Sequence, residues 1–156
     1  MFLDAEDFRR VVAATPLISL DLVVRSAEGT ILLGERLNRP AQGFWFVPGG
    51  RIQKNETLDA AFLRLTMGEL GIRFERSQAR LLDIYEHFYE DSVFGTDSSS
   101  PNTHYVVAGY LLDLPAGLVL DPPREQHGHY RWWSPSEIRD SEQVHENTRA
   151  YLRELV

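Results

Sequence analysis

The spacing of apolar residues divides the chain into alternating strands and helices. LISLDLVV (17–24) and TILLGER (30–36) are short apolar runs that predict two strands joined by a turn at Glu28 and Gly29. Before them, DAEDFRRVVAA (4–14) predicts a helix stopped ahead of Pro16. After them, the loop LNRPAQGFW leads into FVPGG, read as a turn whose glycines let backbone approach a ligand. Leu58, Ala61, Phe62 and Leu65 then recur at helical spacing, predicting a helix from Glu56 to about Leu70, capped by Asn55 and closed by Gly71. Two longer strands, 80–90 and 103–114, flank the polar segment DSVFGTDSSSPN, which reads as a mobile or partner-contacting loop. The turn DPPREQHGH, a strand YRWW and helical pieces at 135–139 and 142–154 complete the chain. Strands on both sides of a central helix predict an α/β (α+β) fold with a mixed sheet between helices, in one domain spanning 1–156.

One residue disturbs this pattern. Glu69 lies four residues beyond Leu65 and falls inside the apolar stripe, while Arg64 points away from it. A carboxylate on a buried face is costly unless it is paired, protonated or bound to a metal. Fraying into water at the helix end, or pairing with one arginine, would also resolve it. The adjacent Gly68 weakens a helix by roughly 1 kcal/mol, which suggests that space is needed there.

Composition narrows the setting. A chain of 156 residues with 43% hydrophobic content and a formal charge of −7 has room for a sizeable core. Broad nucleic-acid binding, which wants a basic face, is disfavoured, but a small anionic ligand held by arginines or a divalent cation is not. No apolar run reaches the roughly 18 residues of a membrane span, and the acidic N-terminus does not read as a signal peptide. The absence of cysteine excludes a thiolate nucleophile and suits a cytoplasmic setting.

GGRIQKNETLDAAFLRLTMGELGI resembles the Nudix box, G-x5-E-x7-R-E-U-x-E-E-x-G-U, where U is aliphatic. Gly50, Glu56, Arg64, Glu69, Gly71 and Ile72 occupy matching positions, whereas Leu65 and Gly68 stand where the family has glutamates and Thr66 replaces an aliphatic residue. The resemblance implies the Nudix fold, an α/β/α sandwich around a mixed sheet, and hydrolysis of a substrate containing a diphosphate. With two of three clustered carboxylates gone, one strongly held Mg²⁺ is expected where relatives hold several, with Mn²⁺ as a substitute.

NRPAQGFWFVPGGRIQKNETL, RLTMGELG, THYVV and VHENTRAYL are further similar to the GDP-mannose mannosyl hydrolase subgroup, in which the shortened box is the norm and water attacks sugar carbon C1 instead of phosphorus. That resemblance implies a homodimer acting on GDP-mannose, with GDP-glucose also accepted. It places metal ligands at Gly49 (carbonyl), Glu69 and Gln126, and catalytic roles at Arg36 and Arg51, which face the diphosphate. His127 is the implied general base, with His129 as its local rival; histidine's ordinary pKa of roughly 6.5 suits the task. Asp21, His87 and Tyr105 match substrate-contacting positions. MFLDAEDF and the Phe44–Trp45 loop are candidates for the dimer interface, although Trp45 equally fits a core. Cleavage at phosphorus, giving GMP and a sugar 1-phosphate, and a nucleotide-sugar-binding module without catalysis are the alternatives.

Overall fold

A computed structural model describes residues 3–123 and 127–155. The chain runs α1 (Ala5–Ala14), β1 (Leu17–Arg25), β2 (Ile31–Arg36), β3 (Trp45–Phe46), β4 (Gly49–Arg51), α2 (Leu58–Leu70), β5 (Arg80–Tyr89), β6 (Thr103–Asp113), β7 (His127–Trp133), α3 (Pro135–Asp140) and α4 (Glu146–Arg149), with 3₁₀ turns at Arg76–Gln78 and Ala150–Glu154. Seven strands form one mixed sheet in the order β3-β2-β1-β6-β5, with β4 added on β1 and β7 on β2.

The sheet forks beside β1. Its first edge runs parallel to β6 along its whole length, from Leu17 opposite Tyr105 to Arg25 opposite Asp113. Its second edge is shared: β4 takes the N-terminal half, from Ser19 opposite Arg51 to Asp21 opposite Gly49, and β2 joins only at Arg25 opposite Ile31. Between these two partners the sheet opens.

Alternation along β1 sends successive side chains to opposite faces. Leu20, Leu22 and Val24 face α2, where they pack with Phe62, Leu65, Leu70 and Tyr110. Val23 joins Ile31, Leu33 and Trp133 on the other face, closed by Ile138, Val144 and Tyr151 from the C-terminal helices. The expected layers, a mixed sheet between helices, are therefore present. Asp21 falls by alternation on the C-terminal face, and Glu69 approaches from the α2 face. Among the described residues, no helix is long and apolar enough to cross a membrane.

Several local expectations change. α2 begins two residues later than expected, because Thr57, not Asn55, caps it: the Thr57 side chain accepts from the Ala60 amide, a cap worth about 1 kcal/mol. Asn55 instead turns the preceding loop with φ 64°. Leu58, placed on the apolar stripe by counting, is 42% exposed because it opens the first turn beyond the sheet; Thr66 is buried instead, bonded to Phe62 O and the Phe74 amide. Gly71 closes the helix in the left-handed region, as its position predicts. The predicted helix at 142–154 divides into α4 and a 3₁₀ turn, and FVPGG contributes two strands where a turn was expected.

The 92–102 segment is tied down. Ser92 and Gly95 exchange backbone hydrogen bonds at 3.1 Å, the Asp97 carboxylate accepts from the Ser99 and Ser100 amides, and Arg9 of α1 donates to Ser99 O. Trp45 is half-buried against Trp133, ring centroids 5.3 Å apart, while Phe44 remains exposed.

Gly68 does not answer a need for space. A Cβ built there meets nothing within 4 Å. Gly68→Ala is therefore expected to stabilise the protein by up to about 1 kcal/mol through helix propensity and unfolded-chain entropy, read as a higher urea midpoint at unchanged slope. A loss of stability would mean that close contact at Gly68 matters after all.

Candidate active site

At the fork, residues scattered through the sequence meet around one cavity of about 70 Å³. Asp21 of β1, Arg36 at the end of β2, Gly49 and Arg51 of β4, His87 of β5 and Tyr105 of β6 all line it. A second cavity of about 200 Å³ shares Arg36, Pro40, Arg51 and Tyr105 with the first and extends to Phe8, Val12 and Val93. The two make one groove with its arginines in the middle.

Gly49 is dictated by packing. A Cβ there would stand 2.4 Å from Leu20 O and 2.7 Å from Asp21 Oδ1, so only glycine lets β4 lie against β1 at this point. Gly50 rests on α2, where its Cβ would lie 2.5 Å from Leu65 Cδ2. Leu65, at one of the positions that hold a glutamate in the Nudix box, is thus a core residue beneath the loop. The retained box residues Glu56 and Arg64 brace the same loop: Arg64 donates to both Glu56 carboxylate oxygens, at 2.6 and 2.9 Å, and to Arg51 O at 2.8 Å. That pairing holds the Glu56 carboxyl below its ordinary pKa.

Glu69 lies behind Gly49 and is 4% exposed. Burial pushes its carboxyl up from 4.5 to about 7; Arg36 and a backbone hydrogen bond from Gly49 oppose the shift, and the charge of Asp21 adds to it. Asp21 is likewise raised, from 3.8 to about 7, by burial, against the opposing influence of Tyr151 and Arg36. The two acids thus reach the fork from opposite faces and share the field of one guanidinium. Arg36 is held there by its Nε donating to Pro40 O at 3.1 Å, and Arg51 lies over the Phe8 ring at 4.2 Å.

His87 is 4% exposed, and burial with the nearby His145 lowers its pKa from 6.5 to about 4. It is a neutral ring at ordinary pH. Its Nε2 has no hydrogen-bond partner among the described residues.

Gln126 and the side chain of His127 lie outside the described residues. The backbone of His127 does not belong to a loop; it opens β7, paired with Arg36 after a register shift between Gly34 and Arg36. That pairing brings position 127 to the end of the groove. His129, its rival, is exposed on the same strand.

The described residues include no cluster of three or more histidines or acids able to hold a metal unaided. A buried carboxylate against glycine backbone, with its charged form already disfavoured, nevertheless suits a hard divalent cation whose remaining ligands come from backbone, water and substrate oxygens. Sequence reasoning did not find Tyr89 or Phe46, which line the cavity, or Tyr151, which bonds Asp21. Tyr151 lies 130 residues from Asp21, and no local pattern connects them.

The family model described as NUDIX domain matches residues 15–155. Among curated proteins, the chain is 44% identical over 110 residues to the low-salt glycan biosynthesis protein Agl8 of Haloferax volcanii, covering 70% of this chain and 66% of that one, just under two thirds of its length. Among solved structures, the MutT NUDIX hydrolase of Burkholderia pseudomallei is 27% identical, with a TM-score of 0.68 over 91% of this chain and 99% of that one. A bifunctional NMN adenylyltransferase/ADP ribose pyrophosphatase of Francisella tularensis, solved with AMP and a manganese ion, shares the fold at 20% identity, with a TM-score of 0.66 over 97% of this chain and 45% of that one.

Proposed function

Since the chain belongs to the NUDIX family, we propose that it hydrolyses a nucleoside-diphosphate sugar, GDP-mannose with GDP-glucose as a second substrate, by water attack at C1, giving GDP and the inverted β-sugar. The observation that carries this reading is the fate of the box carboxylates. Leu65 is sunk in the core under Gly50 and position 68 is a glycine, so of the clustered box carboxylates Glu69 alone remains at the fork. A single acid does not make the multi-ion cluster that directs water onto phosphorus. It does suit assistance to a leaving diphosphate, a group that needs charge neutralised more than a proton donated.

The groove divides accordingly. Arg36 and Arg51, at the junction of the two cavities, bind the diphosphate and offset its growing charge as the C1–O bond breaks. The narrower end, with buried Asp21 and His87, receives the sugar, and the wider end beside Phe8 and Val93 receives the nucleoside. Tyr105 stands at the junction and contacts the phosphates. His127, brought beside Arg36 by strand pairing, takes the proton from the attacking water. A divalent ion such as Mg²⁺ or Mn²⁺, held by Glu69, the Gly49 carbonyl and Gln126, supplies further positive charge at the leaving group when bound. The resemblance to a glycan biosynthesis protein fits a nucleotide-sugar substrate, and a homodimer is carried as part of the proposal.

Turnover of GDP-mannose with Mg²⁺ in ¹⁸O-water, followed by NMR, tests the reaction. The expected product is β-mannose bearing the label, beside unlabelled GDP. Label in a phosphate, or release of GMP, would mean attack at phosphorus, and saturable binding without turnover would mean a binding module.

A further inference from the structure

The narrower end of the groove is set from behind by two residues of the C-terminal helical run. Asn147 Nδ2 donates to Tyr89 Oη at 3.2 Å. A phenol oxygen that accepts from an amide keeps its own proton to give, so Tyr89, which lines the cavity, has a proton to donate. Four residues on, Tyr151 Oη donates to Asp21 Oδ2 at 2.5 Å. In the ionised carboxylate that bond leaves Oδ1, the oxygen turned toward Gly49, as an acceptor. The His87 ring lies beside both, its centroid 6.4 Å from that of Tyr89 and 6.4 Å from that of Tyr151.

The slot for Tyr151 is built into the sheet. A Cβ on Gly109 would lie 2.8 Å from the Tyr151 ring and 2.9 Å from that of Tyr85, so β6 gives up a side chain to admit the tyrosine. The hydroxyl of a buried tyrosine needs a partner, but that partner need not be a residue lining a cavity. Here it is one, and Asn147 reaches a second.

We propose that Asn147 and Tyr151 are positioning residues that fix the hydrogen-bond polarity of the sugar subsite, with Tyr89 as donor and Asp21 as acceptor beside the His87 ring. In this way they set which arrangement of ring hydroxyls the enzyme accepts. The ligand is the pyranose of a nucleoside-diphosphate sugar, so the inference rests on the function proposed above. A pair of neighbouring hydroxyls, one accepting from Tyr89 and one donating to Asp21, satisfies both groups. The epimer that turns one hydroxyl away leaves a buried polar group unpaired, which is where discrimination of this kind is largest.

The test uses Asn147→Asp and Tyr151→Phe. The first is nearly isosteric and can only accept, so it draws the Tyr89 proton out of the cavity; the second removes one hydroxyl. The measurements are kcat/KM for GDP-mannose and for GDP-glucose, and the inhibition constant of GDP, which reports on the nucleoside and diphosphate subsites alone. Each variant is expected to lose about tenfold or more in kcat/KM for the preferred sugar, to bring the two sugars' values closer together, and to bind GDP within about twofold of the parent. Loss of GDP binding in parallel with turnover, or an unchanged ratio between the sugars, would overturn the proposal and leave the nucleotide-sugar reading standing. If the parent neither turns over the GDP-sugars nor binds them better than GDP, that reading fails and this proposal falls with it.

Discussion

Glu69→Gln is expected to lower kcat/KM by about 10³-fold with Mg²⁺ saturating for the parent, because it removes the one box carboxylate left at the fork. The same substitution should make the metal-free protein less sensitive to pH. Burial raises the Glu69 carboxyl from 4.5 to about 7. A carboxyl whose folded pKa exceeds its unfolded value holds its proton more tightly when folded. The folded state therefore carries excess protons between those two values, and stability falls as the pH rises through that window. For Glu69 the loss reaches roughly 3 kcal/mol once the pH passes the folded value. Asp21, raised from 3.8 to about 7, acts in the same direction. Thermal unfolding of metal-free protein should show a midpoint that falls more across this range in the parent than in Glu69→Gln. Asp21 lowers it in both, and buried His87, depressed from 6.5 to about 4, opposes the fall equally in both. Added Mg²⁺ should restore the parent above pH 7, by mass action on the ionised carboxylate, and leave the variant unchanged. Equal stabilisation of both proteins would place the ion elsewhere.

How much of this site the sequence disclosed depends on how far each contact reaches along the chain. Glu69 was legible because helical period alone puts it on the face of Phe62 and Leu65, and that face is buried. Asp21 was legible because an acid inside an apolar strand must meet something polar. Leu58 was misjudged by the same counting, since period fixes direction but not whether a sheet lies opposite. β4 was hidden for another reason. Two glycines read as a turn, yet here they are strand residues, Gly49 required by a close approach to β1 and Gly50 by one to α2, and only the fold creates either. Tyr151, Asn147 and Gly109 were out of reach, because their roles exist only once β1, β5, β6 and the last helix have assembled.

His127→Gln is expected to reduce kcat by about 10²–10⁴-fold while the inhibition constant of GDP stays near that of the parent. The choice of this residue follows from what the other candidates can do. His87 lines the cavity, but burial holds its pKa near 4, too weak a base to draw a proton from water near neutral pH. It is proposed instead to meet the sugar. Glu69 is proposed to be occupied by the metal and Arg36 by the diphosphate. Asp21 has one oxygen bound by Tyr151 and the other proposed to accept from a sugar hydroxyl. His129 is exposed two residues along β7, so His129→Gln serves as the control and should leave kcat within about threefold of the parent, as surface substitutions usually do. Position 127 has a backbone fixed next to Arg36 at the groove by strand pairing. If His127→Gln turns over normally and Asp21→Asn does not, the proton goes to Asp21 instead. Its carboxyl, raised to about 7 by burial, has the basicity to take it.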